Sequence, residues 1–173
     1  MTCPLSIMRR RPAGEHQSMA GPTVRVLLPR KIDGLVESLV RACLAEVADQ
    51  PWMGTGSFFI EGSPMLYALG PDYPEELAEY AGLAGPLGWL PEGILSLAAM
   101  DKDLLDHQRL GQAALALVRR LDGVVAFCAS IHAYTRDSEF LAGLAIIEHE
   151  GESIFSSVDF AAWLGHRDFR LVK

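Results

Sequence analysis

Between residues 94 and 128 an apolar run, a long amphipathic stretch and a second apolar run follow one another with almost nothing between them. Ile94 to Met100 has the composition of a buried strand. In Leu104 to Leu121, the residues Leu110, Ala114, Leu117, Val118 and Leu121 recur at helical spacing and share one face. Gly123 stands where a C-cap glycine belongs, after Arg119 and Arg120 at the negative end of the helix dipole, and Val124 to Cys128 resumes as strand. If the two strands run parallel in one sheet, the connection is a right-handed crossover and the helix covers one sheet face. The expected class is therefore α/β (α+β), a mixed β-sheet with amphipathic helices packed on it, including this strand-helix-strand unit.

The remaining segments fit around that unit. Thr23 to Leu28 is β-branched and partly alternating, ends at Pro29, and reads as a strand. Asp33 is a good N-cap for a helix whose Leu35, Val36, Leu39, Val40, Cys43, Leu44 and Val47 form one stripe up to Pro51. Trp52 to Gly56 is a turn, and Ser57 to Ile60 with Met65 to Leu69 forms a hairpin-like pair around Glu61-Gly62-Ser63-Pro64. Glu75 to Leu83 is a short helix with an acidic front, stopped by Gly85-Pro86 and Gly88. Leu141 to Ile147 fits either strand or helix and is taken as strand. Phe160 to Leu164 is a short helix, and Phe169 to Val172 a last strand tied into the sheet. Met1 to Ser18 shows no periodicity. It is expected to be a disordered or misassigned extension, with Met19 as the natural start and residues 19–173 as one domain.

Composition removes several function classes. Half of the residues are hydrophobic and 21% are charged, which excludes disorder for the bulk of the chain. Every apolar run is interrupted well short of the roughly 18 residues that span a bilayer, so no membrane insertion is expected. Arg9, Arg10 and Arg11 lack the apolar segment of a secretory signal. Cys3, Cys43 and Cys128 are too widely spaced for a disulfide framework or a zinc knuckle, which points to the reducing cytoplasm. Residues 19–173 hold 12 basic and 21 acidic side chains, a formal −9. Scattered cations on an acidic body argue against nucleic acid and in favour of a basic protein partner.

Asp101, Asp103 and the pair Asp106-His107 gather at the start of the long helix, where carboxylates and an imidazole can bind a metal or move a proton. Helix-end electrostatics explains the same acids, since each stabilises the positive end of the dipole by about 0.3–1 kcal/mol. His107 is expected to be a neutral, buried, hydrogen-bonded structural residue. His132-Ala133-Tyr134 and Glu148-His149-Glu150 lack the i, i+4 spacing of zinc-binding helices, so neither a metal nor a cofactor is expected. The serines sit in no nucleophile elbow, and Gly54-Thr55-Gly56-Ser57 is too short to cradle a phosphate. Trp52, Trp89 and Trp163 are core residues or interface anchors.

Several of these stretches carry a resemblance. They are Ala20-Gly21-Pro22-Thr23, Asp106-His107 with Leu110-Gly111, Leu115-Ala116-Leu117 and Arg119-Arg120, and Phe160-Ala161-Ala162-Trp163-Leu164 through Asp168 to Lys173. Over Met19 to Lys173 the chain resembles an uncharacterised actinobacterial family, domain-of-unknown-function family 6368. Asp122-Gly123 stands where that family has a glycine pair, and the loop His132 to Ser138 departs from its pattern. By analogy with small acidic α/β proteins that neutralise toxins, the resemblance implies an immunity-type, non-enzymatic binding protein. Its partner would be a basic protein such as a toxin domain, and its expected contact residues are Trp89, Asp101, Asp103, Asp106, His107, His132 and Tyr134. The rivals are a small enzyme using Asp106, His107 and His132, and a structural homo-oligomer.

Overall fold

The computed structural model describes residues 21–49, 56–101 and 103–172; the expected extension 1–18 and turn residues 52–55 lie outside this set. β1 (Thr23–Leu28) leads into α1 (Gly34–Val47), and β2 (Ser57–Ile60) and β3 (Ser63–Leu69) form a hairpin. α2 (Glu76–Glu79), a 3-10 turn at Ala81–Leu83 and α3 (Ala84–Leu87) follow. β4 (Gly93–Ala99), α4 (Leu104–Leu121) and β5 (Val124–Ala126) make up the strand-helix-strand unit. After a 3-10 turn at Ile131–Ala133 come α5 (Ser138–Ala142), β6 (Ile147–His149), β7 (Glu152–Phe155) and α6 (Ser157–Leu164).

The seven described strands form one sheet in the order β2-β3-β4-β1-β5-β7-β6. The α+β class holds, but where a mixed sheet is expected, every neighbouring pair is antiparallel. β4 and β5 are each antiparallel to β1, which lies between them, so they run parallel to one another while α4 passes over β1. The crossover is real; the slot it spans is filled by β1.

Strand alternation sorts side chains between the two sheet faces. Val24, Val26, Leu28, Leu95, Leu97 and Val125 meet buried residues of α1, α4 and α6 in the larger core. Leu27, Ile94, Val124, Ala126 and Ile154 point the other way, onto Tyr80 and Leu83 of the α2–α3 segment. Fully burying an aliphatic or aromatic side chain stabilises by about 1.5–3 kcal/mol, so the first face carries most of the fold.

The expected cap at Asp33 is present, and two more helices begin with a capping side chain. Asp33 accepts from the Val36 N–H at 2.9 Å, Asp103 from the Asp106 N–H at 2.9 Å, and Ser156 from the Asp159 N–H at 3.1 Å. At the end of α4 the left-handed residue is Asp122, with φ +55°, not Gly123. Gly123 is required for closeness instead, because a Cβ there would lie 2.5 Å from the Leu27 carbonyl oxygen.

Three other expectations change. Asp137 caps Phe140 N–H at 3.1 Å and starts α5, so Leu141 lies in a helix and the strand begins only at Ile147. That strand turns into β7 through Glu150 (φ +49°) and Gly151 (φ +84°), just as β2 turns into β3 through Glu61 (φ +49°) and Gly62 (φ +80°). Both are Glu-Gly turns with two left-handed residues, the hairpin type whose twist suits its strands. The helix expected over Glu75 to Leu83 is broken into α2 and a 3-10 turn. The last segment makes a single bridge, Thr23 to Val172, and no strand.

Candidate functional site

At the start of α4 the expected cluster divides by burial. Asp101 and Asp103 are exposed, and Asp103 is occupied as the N-cap. Asp106 is fully buried; its Oδ1 lies 3.4 Å from Arg109, and its Oδ2 has no hydrogen-bond partner among the described residues. Arg109 reaches across to the β2–β3 turn, donating to Glu61 at 2.7 Å and Ser63 at 2.7 Å. His107 is 2% exposed, and its Nδ1 accepts the Leu171 N–H at 2.9 Å, which requires that nitrogen to be unprotonated. The ring thus pins the C-terminal segment to α4.

The other candidates lie apart from this cluster. Tyr134 is half-buried, edge-on to Phe127 with ring centroids 5.0 Å apart. His132 is exposed and makes no hydrogen bond or ion pair with a described residue. Trp89 is half-buried against the smaller core, on the sheet face opposite α4. Among the described residues no group of three or more His, Cys, Asp or Glu is arranged to hold a metal ion.

The smaller face holds a polar network that the sequence reading passes over. Arg25, in the middle of β1 and 6% exposed, pairs with fully buried Glu76 at 2.9 Å and lies 4.0 Å from Asp72. It also donates to Tyr80 Oη at 3.4 Å, and Tyr80 donates to Glu152 at 3.1 Å. Burial raises the Glu76 carboxyl above its ordinary range, and the Arg25 guanidinium opposes that rise. Burial likewise pushes the Tyr80 phenol up. The network therefore fastens α2 to the sheet and to β7.

Outside the network lies a surface of carboxylates. The His149 ring nitrogen Nε2 meets the Glu79 carbonyl at 2.7 Å, and its ring sits 6.1 Å from that of Tyr80, so α2 and the β6–β7 hairpin abut. This sets α2, with exposed Glu75 and Glu79, beside the hairpin that carries exposed Glu150 and half-buried Glu152; the Glu79 carboxylate accepts from Tyr73 Oη at 2.7 Å, and exposed Glu148 accepts from Ser153 on the other sheet face. None of the five is in an ion pair with Lys or Arg among the described residues. The signal was present in the sequence as a gap: residues 42–101 and 137–166 contain no Lys or Arg.

A family model covers residues 20–173. The chain belongs to the family of unknown function DUF6368. No curated protein and no solved structure matches it. Part of the DUF6368 resemblance, His107, Gly111 and the C-terminal segment, lies at one seam of the fold. His107 binds Leu171, and a Cβ on Gly111 would stand 2.7 Å from Leu164 and 2.8 Å from Phe169, so α4 and the C-terminal segment are in tight contact there. Gly21 is equally confined, its missing Cβ falling 1.9 Å from the Ala99 carbonyl oxygen. In this DUF6368 chain, Asp106-His107, Leu110-Gly111 and the final segment thus build the fold. No helix among the described residues is long and apolar enough to cross a membrane.

Proposed function

We propose that this chain acts by contact, as a binding protein for a basic protein partner, in the manner of an immunity protein that occludes a basic toxin domain. The observation that carries the reading is the surface of Glu75, Glu79, Glu150 and Glu152, none of which is in an ion pair with Lys or Arg among the described residues. Carboxylates held close together raise the local negative potential, attract a basic patch from a distance and repel an acidic one. The buried Arg25–Glu76–Tyr80–Glu152 network supports this role by holding the surface on a rigid base. We place the protein in a reducing compartment, consistent with Cys43 and Cys128 being free and buried.

The test is capture from the native host with the wild-type chain and with a Glu75→Lys, Glu79→Lys, Glu150→Lys variant. The expected result is a basic protein retained by the wild type, released by about 0.5 M salt, where charge interactions are screened within a few ångströms, and absent from the variant. Equal retention by both chains refutes the reading.

A further inference from the structure

The two edges of the described sheet are treated differently. At the β2 edge the hairpin closes with the pair Ile60 and Ser63, so Phe59 directs its N–H and C=O away from β3. The Phe59 carbonyl accepts the Asp49 N–H at 2.7 Å, and the Asp49 carboxylate takes the Glu61 and Gly62 N–H groups at 3.0 and 2.7 Å. The chain's own backbone closes that edge.

The β6 edge follows the same plan without the closure. Its hairpin closes with His149 and Glu152, which puts Glu148 where Phe59 stands in the other hairpin. Among the described residues, no backbone group pairs with the outward N–H and C=O of Glu148. An unpaired strand edge accepts any extended backbone, and charge decides which one. Glu148 and Glu150 lie on this edge, with Glu79 beside His149, and no Lys or Arg occurs from 137 to 166. The same edge of a second copy, with its own Glu148 and Glu150, is repelled here, as is any acidic segment.

We infer that the partner presents an extended segment bearing lysine or arginine, which pairs with β6 as an added strand. This rests on the binding reading above and adds its geometry. Side chains alternate between sheet faces, and His149 and Glu152 face the α2 side while Glu148 faces Ser153 on the other. Cations of the incoming segment that point to the α2 side, the side of Glu79 and Glu152, therefore fall at every second residue.

The probe is a hexapeptide of alternating lysine and valine, compared with the same peptide N-methylated at the residues whose N–H groups face β6. Binding is followed by isothermal titration and by the amide resonances of the labelled protein. Expected are a shift and slowed exchange of the Glu148 amide with the unmodified peptide, and at least tenfold weaker binding after N-methylation. Equal affinity of the two peptides overturns the added-strand inference and leaves binding by charge intact. Unchanged affinity of the unmodified peptide for the Glu75→Lys, Glu79→Lys, Glu150→Lys variant, with Glu148 still protected, removes the charged-surface reading and keeps the edge. Failure of either peptide to bind at millimolar concentration overturns the inference.

Discussion

Replacing Arg25 by Met tests the network beneath the carboxylate surface. In the native protein Arg25 is 6% exposed and Glu76 fully buried, with 2.9 Å between their charged atoms. Met preserves much of the side-chain volume but leaves the Glu76 carboxylate without its cation and Tyr80 without a donor. Removing one partner of a buried pair costs about 3–5 kcal/mol, because the remaining charge is stranded away from water. The penalty has a definite pH dependence. Burial already raises the folded-state carboxyl of Glu76 above its unfolded value of 4.5, and Arg25 restrains that rise. Without Arg25 the folded state holds the proton more tightly. Stability is then greatest below the unfolded value and is lost as pH rises through the folded one, so the penalty is larger at pH 8 than at pH 5. Urea denaturation at both pH values measures it. A second variant, Arg25→Met with Glu76→Gln, keeps an acceptor for the Asp72 N–H and removes the stranded charge; it should recover about 1.5 kcal/mol or more. A loss below about 1 kcal/mol for Arg25→Met, or one that does not change with pH, refutes the reasoning.

Three further outcomes are expected. His107→Phe leaves the Leu171 N–H without an acceptor and should lower stability by about 1–3 kcal/mol, measured by thermal and urea denaturation. Gly111→Ala gains helix propensity of about 1 kcal/mol but drives a methyl into Leu164 and Phe169, so a net loss of about 1–2 kcal/mol should appear in the same assays. The Phe140 N–H and the His166 ring hold the Asp137 carboxyl below its ordinary value of 3.8, so its contribution is present above that value and lost as pH falls through the lower folded one. Asp137→Asn should flatten the acid limb of the stability profile, read from urea midpoints between pH 5 and pH 2.

Much of this architecture is legible residue by residue. Helical spacing located α4 from Leu104 to Leu121, and Asp33 is a capping residue in both sequence and structure. The misjudged parts have separate causes. Leu141 to Ile147 is uniformly apolar, so it has no period, and Asp137 decided the matter as a cap four residues upstream. The sheet directions depended on where β1 inserts, which no local pattern encodes. Asp106 and His107 look like chemistry because of their residue types; burial and the bond to Leu171 give them a structural part. The carboxylate surface was hidden for the opposite reason. Its members come from α2 and a distant hairpin, and only the contact of His149 with Glu79 brings them side by side.

The place of β1 also shapes how the molecule is made. It leaves the ribosome long before either of its neighbours, Ile94 opposite Leu27 on one side and Val125 opposite Val26 on the other. Translation at roughly 5–20 residues per second separates Val26 from Val125 by roughly 5–20 s. Until β4 emerges Val24, Val26 and Leu28 have no sheet to enter, and until β5 emerges β1 remains an open edge. A nascent chain arranged this way depends on holding factors, or on rapid docking of α1, to keep its apolar β1 from joining that of another chain before the centre of the sheet closes.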